Sequence, residues 1–96
     1  MAAKAVAIPI PASDQMLTGT PRILYGWTIE ETAAAAAEAL IRDGSATGTI
    51  LGVIKIGAAS LNPTNTAWFG PDGVQAPNGV FIDRVSGALA GSIFVG

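Results

Sequence analysis

The chain has 96 residues, of which half are apolar, 12% charged and 6% aromatic, and its net charge is −2. That length suits one small domain with a modest core. With no Cys and no His, the sequence excludes a disulfide framework, thiolate metal sites and the commonest nucleophile–base pairs.

The basic residues Lys4, Arg22, Arg42, Lys55 and Arg84 are scattered, so no phosphate-tracking patch forms and nucleic acid is not an expected partner. The charged fraction is about half that of an ordinary soluble domain. Two explanations fit. Either part of the surface is covered by a partner or by further copies, or an Ala- and Gly-rich chain needs fewer charges to stay dissolved. Gly, Lys or Pro interrupts every apolar stretch before the roughly 20 residues of a membrane span, so no membrane partner is expected. The short apolar tract at residues 5–10 contains Pro9 and is followed by Pro11. It reads as neither a secretion signal nor an anchor.

Residues 1–15 are expected to be an extended N-terminal arm and residues 16–96 a single domain. Pro9 and Pro11 fix φ and remove two backbone donors, which favours extended chain over helix. Val6, Ile8 and Ile10 alternate at period two, so the arm is expected to pack on its own domain or on a neighbouring copy. Residues 14–21 (DQMLTGTP) read as a short strand or loop. In residues 22–31, Ile23, Tyr25, Trp27 and Ile29 fall on one face and Leu24, Gly26, Thr28 and Glu30 on the other, a half-buried strand pattern.

The alanines that follow admit two readings. As a helix, Thr28 is an N-cap with Glu31 three residues on. Ile29, Ala33, Ala36, Ala37, Leu40 and Ile41 then share a face, Glu38 pairs with Arg42, and Gly44 ends the helix. As strands, residues 23–31 and 37–43 are extended and the Ala block between them is a turn. The run TILGVIKIG at residues 49–57 alternates clearly and is a further strand, with Gly52 permitting a bend.

Residues 58–63 read as a loop and 64–69 (TNTAWF) as a short strand. Residues 70–79 hold Gly-Pro, Asp-Gly and Asn-Gly turn signals around a very short strand at Val74 and Gln75. Residues 80–85 and 89–95 are expected to close the fold as a pair joined by Ser86-Gly87-Ala88. Several short strands punctuated by turn residues suggest a β-sandwich or barrel. No internal repeat and no long linker is visible.

The segments Leu24-Tyr25-Gly26, Thr32–Ala36, Leu40–Ser45, Ala46-Thr47-Gly48, Trp68–Gly73, Asn78–Phe81 and Val95-Gly96 together form a pattern of strands and turns. In their order and type they resemble a class of small all-β virion proteins of tailed bacteriophages, the capsid decoration or cement proteins. The resemblance runs from about Arg22 to Gly96. It implies an all-β, jelly-roll-like β-sandwich in which the Ala run is a turn. It also implies a structural protein on the capsid surface, made in the host cytoplasm, with the major capsid protein as partner and a homotrimer as assembly. The alanines and Glu38 depart from the pattern, since Gly or Asn would be more usual in that turn.

Only carboxylates remain as candidates for chemistry. Glu30 and Glu31 are adjacent, so in a strand they point to opposite faces, as do Asp83 and Arg84. Asp43 and Asp72 sit beside Gly, where Asp commonly stabilises its own turn. A glycosidase-like pair, or calcium on Asp43, Asp72 or Asp83, would have to be assembled from distant strands without a recognisable motif. The expected protein is therefore not an enzyme and carries no cofactor or metal. Trp27 is expected in the core, whereas Trp68 and Phe69 should between them supply one core ring and one partner contact. The contact candidates are Val6, Ile8, Pro9, Ile10 and Pro11 of the arm, with Trp68 and Phe69. The alternative reading is a tail-associated or surface module that binds carbohydrate through Trp68 and nearby polar loops. A small hydrolase is a third.

Overall fold

The computed structural model describes residues 5–18, 22–58 and 63–96. Among these there are nine strands and no helix. They are β1 (Val6–Pro9), β2 (Gln15–Thr18), β3 (Arg22–Glu31), β4 (Ala37–Asp43), β5 (Ile50–Ile56), β6 (Thr64–Trp68), β7 (Val74–Ala76), β8 (Val80–Ser86) and β9 (Leu89–Val95). Each strand from β3 onward starts and stops within a residue or two of where period-two alternation and turn residues place it. The loop expected at 58–63 and the end of the segment 14–21 lie largely outside the described residues.

Two antiparallel sheets result. The first has the order β1-β9-β3-β6, with β7 also paired to β3, and the second has the order β2-β8-β4-β5. Their inner faces meet in one cluster. Leu24, Trp27, Ile29, Ile93 and Val95 come from the first sheet, and Ala39, Ile41, Ile54, Val80 and Ile82 from the second. Each buried Leu, Ile or Val side chain contributes about 1.5–3 kcal/mol of transfer free energy, so this cluster is the main source of stability.

Trp27 ties the sheets together. Its ring lies over Gly52 of β5, where an added Cβ would stand 2.7 Å from Cη2 and Cζ3. Its Nε1–H donates to Asn65 Oδ1 on β6 at 2.7 Å, which satisfies the one polar atom of a side chain only 4% exposed. Gly52 is thus required for space at the inter-sheet contact.

The Ala run is a turn. Residues 32–36 are exposed, and Ala34 adopts a positive φ of 54°. The Glu31 carboxylate, nearly buried, accepts a hydrogen bond from the Ala33 N–H, and the Thr32 N–H donates to the Ala88 carbonyl at 3.1 Å. Helix propensity loses here to pairing. A helix from Thr28 would strip Ile29–Glu31 from β6 and β9, and Ala37–Asp43 from β5 and β8. Isolated helical segments of this length are marginal in water, whereas each central strand gains a ladder on both sides.

Three expectations need correction. First, Tyr25 does not share the inner face with Trp27 and Ile29. The β3–β9 register shifts between Leu24 and Gly26, so Tyr25 is a bulge residue and the alternation changes phase there. Leu24 points into the core instead, and Tyr25 is buried outside the main cluster with its ring on Trp68. Second, β8 and β9 are not a hairpin. β8 pairs with β2 and β4 in the second sheet, and β9 pairs with β1 and β3 in the first, so Gly87-Ala88 carries the chain between sheets. Third, Asp43 does not serve its own turn. Its carboxylate accepts from the Asn78 N–H at 2.8 Å and from Asn78 Nδ2 at 3.1 Å, joining the end of β4 to the turn before β8.

The described part of the N-terminal segment lies against its own domain. Val6–Pro9 is an edge strand on β9, and Ile10 N–H donates to the Gly91 carbonyl at 3.0 Å. The chain then crosses to the second sheet over residues 11–14. Arg84 holds that crossing: Nη1 donates to the Pro11 carbonyl at 2.7 Å, Nη2 to the Gly87 carbonyl at 2.8 Å, and the Arg84 N–H to the Asp14 carboxylate at 2.7 Å.

Candidate contact surface

The outer face of the first sheet is built by register. Ala7 of β1 lies opposite Phe94 of β9, Phe94 opposite Gly26 of β3, and Gly26 opposite Trp68 of β6. Directly paired residues share a face, so these four form one apolar row across four strands, about 14 Å long at ordinary strand spacing. Gly26, at the middle of the row, is itself buried; its φ is 153°, and a Cβ there would strike the Ala67 carbonyl.

Trp68 is 62% exposed and stacks on Tyr25, with ring centroids 5.9 Å apart and planes 23° from parallel. The bulge at Tyr25 makes that stack, because it turns the Tyr ring away from the core. Phe69 takes the other role. Its ring meets Trp27 edge-on at 5.5 Å and 78°, closing the core beside the more exposed Trp68. Of the two aromatics, Trp68 faces out and Phe69 mostly covers.

The next row on this face is polar. Thr66, Thr28, Ser92 and Pro9 lie opposite one another across β6, β3, β9 and β1. Glu30 follows, exposed, between Thr64 and Ala90. The face therefore offers an aromatic and aliphatic row beside a row of hydroxyls, with a single carboxylate.

The arm candidates divide. Ile8 and Ile10 are partly buried and pack against the chain's own core. Val6 is 56% exposed, Pro9 is exposed and Pro11 is half-buried, its carbonyl held by Arg84. Val6 and Trp68 lie on the two opposite edges of the same sheet, but Val6 pairs with Val95 of the core-facing row, whereas Trp68 belongs to the outward row of Ala7 and Phe94. Sequence reading missed Phe94, Ala7 and Gly26 as members of this surface. Their alternation was legible, but their neighbours are set by β9–β3 and β1–β9 pairing across most of the chain.

Asp14, Glu31, Asp43 and Asp83 are occupied in structural contacts. Asp83 forms an ion pair with Arg42 Nε at 3.0 Å, Arg42 Nη1 also donates to the Gly48 carbonyl, and Asp43 and Glu31 hold turns as described. Glu30 and Glu31 indeed face opposite ways, one exposed and one buried. Among the described residues no group of three or more His, Cys, Asp or Glu could hold a metal ion, and no helix is long and apolar enough to cross a membrane. A shallow cavity of about 370 Å³ lies at the base of β3, lined by Arg22, Ile23, Gln75, Pro77 and Gly96. Comparison with known proteins finds no matching family model, no matching curated protein and no matching solved structure.

Proposed function

We propose that this chain is a structural virion protein that binds the outer surface of a phage capsid and stabilises it, built as a jelly-roll-like β-sandwich. The fold reading is supported by the pairing. With the short β7 set aside, β4 pairs with β5, β3 with β6, β2 with β8 and β1 with β9. These are successive rungs of one long two-stranded ribbon, and rolling that ribbon up yields the alternating sheet orders β1-β9-β3-β6 and β2-β8-β4-β5. The step from that fold to a capsid is fold-level analogy.

The observation that carries the functional reading is the outward apolar row Ala7–Phe94–Gly26–Trp68, in which Ala7 and Trp68 are exposed and Phe94 is half-buried. It is an apolar strip on the surface of a chain of low charge. A contact of this type works mechanically. Trp68 is held by Tyr25 before binding, so little side-chain entropy is lost when its free surface is covered. Repetition over a shell then converts modest single-site affinity into avidity.

The test is co-sedimentation of the purified chain with shells of the major capsid protein encoded by the same genome, followed by thermal challenge of the shells. The expected result is saturable binding that raises the shell's disruption temperature and is lost in Trp68→Ala. No binding to shells at any stage of maturation would refute the reading.

A second reading rests on the neighbouring hydroxyl row. Trp68 beside Thr66, Thr28 and Ser92 suits a pyranose ring stacked on indole with its hydroxyls paired to the sheet. Glycan-array binding by the chain, abolished in Trp68→Ala, together with no affinity for shells, would favour a carbohydrate-binding module.

A further inference from the structure

The two open sheets have four outermost strands, and they are protected unequally. β1 and β2 are four residues each, and β1 contains Pro9. β6 is five residues, mostly polar (TNTAW). β5 is seven residues of sequence ILGVIKI, hydrogen-bonded to β4 on one side and, among the described residues, to no strand on the other. Ile50 and Val53 are each 48% exposed, and Lys55 is the only charged residue on the strand. Native edge strands are ordinarily blunted by shortness, Pro, charge or irregularity, because a long apolar edge presents unpaired N–H and C=O groups to any extended chain.

We infer that the free edge of β5 is a self-association site, at which two copies of this chain pair antiparallel across a two-fold axis and join their second sheets into one. The register follows from the strand itself. The β4–β5 pairing is irregular at Ile41/Arg42, leaving Leu51 out of step, so the regular stretch is Gly52–Ile56. Its midpoint is Ile54. A two-fold axis there sets Val53 opposite Lys55 of the second copy, twice, and Gly52 opposite Ile56.

The Lys alkyl stem then covers the exposed Val53, while its ammonium group reaches solvent on the face it shares with Glu38, the residue opposite it on β4. Ile54, fully buried, extends the inner row toward its counterpart. The pairing satisfies the free backbone groups of both edges, and an isologous contact uses one patch twice and closes, so it stops at two copies. The three-fold assembly that the resemblance implies is a different arrangement.

The experiment is sedimentation equilibrium of the isolated full chain from roughly 1 μM to 1 mM, the range appropriate to contacts at the small end of interface sizes. Circular dichroism of every variant confirms the β fold. The wild-type mass should rise with concentration from one 9.6 kDa chain toward two. Val53→Lys, which faces the second copy's Lys55, should weaken association at least tenfold. Adding Lys55→Glu to Val53→Lys should restore it by turning each repulsion into an ion pair. Val85→Lys, at a position equally exposed but on the interior strand β8, should leave it unchanged. A wild-type chain that stays at the mass of a single chain throughout overturns the inference. So does a mass of three chains, or a folded Val53→Lys variant that associates as well as wild type. Because no shell is present, these outcomes are independent of capsid binding.

Discussion

Gly52→Ala tests the inter-sheet contact directly. The new methyl would lie 2.7 Å from two carbons of the Trp27 ring, well inside ordinary van der Waals contact. The ring has little room to yield. Its Nε1–H is tied to Asn65 Oδ1 at 2.7 Å, and the Phe69 edge stands 5.5 Å from its centroid. Overpacking a filled core costs about 1–3 kcal/mol. Against this, replacing Gly by Ala in a strand recovers about 0.5–1 kcal/mol of unfolded-state entropy. The net expectation is a loss of up to about 2.5 kcal/mol, or a fall in Tm of up to roughly 20 °C for a domain of this size.

Urea unfolding followed by Trp fluorescence would read this, since Trp27 is 4% exposed and dominates the change while Trp68 is already 62% exposed. An Asn65→Ala background supplies the internal control. With the ring untethered, the added cost of Gly52→Ala should shrink by about 0.5–1 kcal/mol, the worth of one hydrogen bond that the strained ring would otherwise hold or forfeit. A stabilising Gly52→Ala would refute the idea that Trp27 is packed against this backbone.

Ala34→Gly should stabilise the fold by about 0.5–1 kcal/mol. An L-residue at φ 54° costs about 1–2 kcal/mol, and glycine's extra entropy loss offsets part of the relief; thermal unfolding reads the gain. Ile54→Ala, at a fully buried position between the sheets, should cost about 2–5 kcal/mol in urea denaturation through lost transfer energy and a residual cavity. Arg84→Met removes the donors that hold the Pro11 and Gly87 carbonyls. Hydrogen exchange of the Ile10 amide, bonded to the Gly91 carbonyl, should accelerate at least tenfold, while the Ile41 and Ile82 amides keep their protection. Equal acceleration everywhere would mean Arg84 supports the whole fold rather than the crossing.

The strands of this protein were legible one at a time, and their partners were not. Alternation in Ile50–Ile56 or Val80–Ser86 is a local property, set by side chains that must point to opposite faces every residue, and Gly-Pro, Asp-Gly and Asn-Gly mark the turns between them. The same local signals made β8 and β9 look like a hairpin, because a three-residue connection can join strands within one sheet or carry the chain across to another. Only the pairing of β8 with β2 and β4, and of β9 with β1 and β3, decides between the two.

The Ala run shows the limit most clearly. Alanine's helix propensity is a property of each residue alone, and it was overruled by ladders reaching from β3 and β4 to strands far along the chain. The contact surface follows the same division. The sequence by itself determined that Trp68, Phe69 and Val6 were large apolar residues outside any clear core pattern. Tertiary structure alone chose Trp68 over Phe69 as the outward ring. It also inserted the bulge that turns Tyr25 to support it, and it aligned Ala7, Phe94 and Gly26 from three strands beside it. Those choices depend on register, and register is fixed by how two buried faces fit together rather than by any residue's own preference.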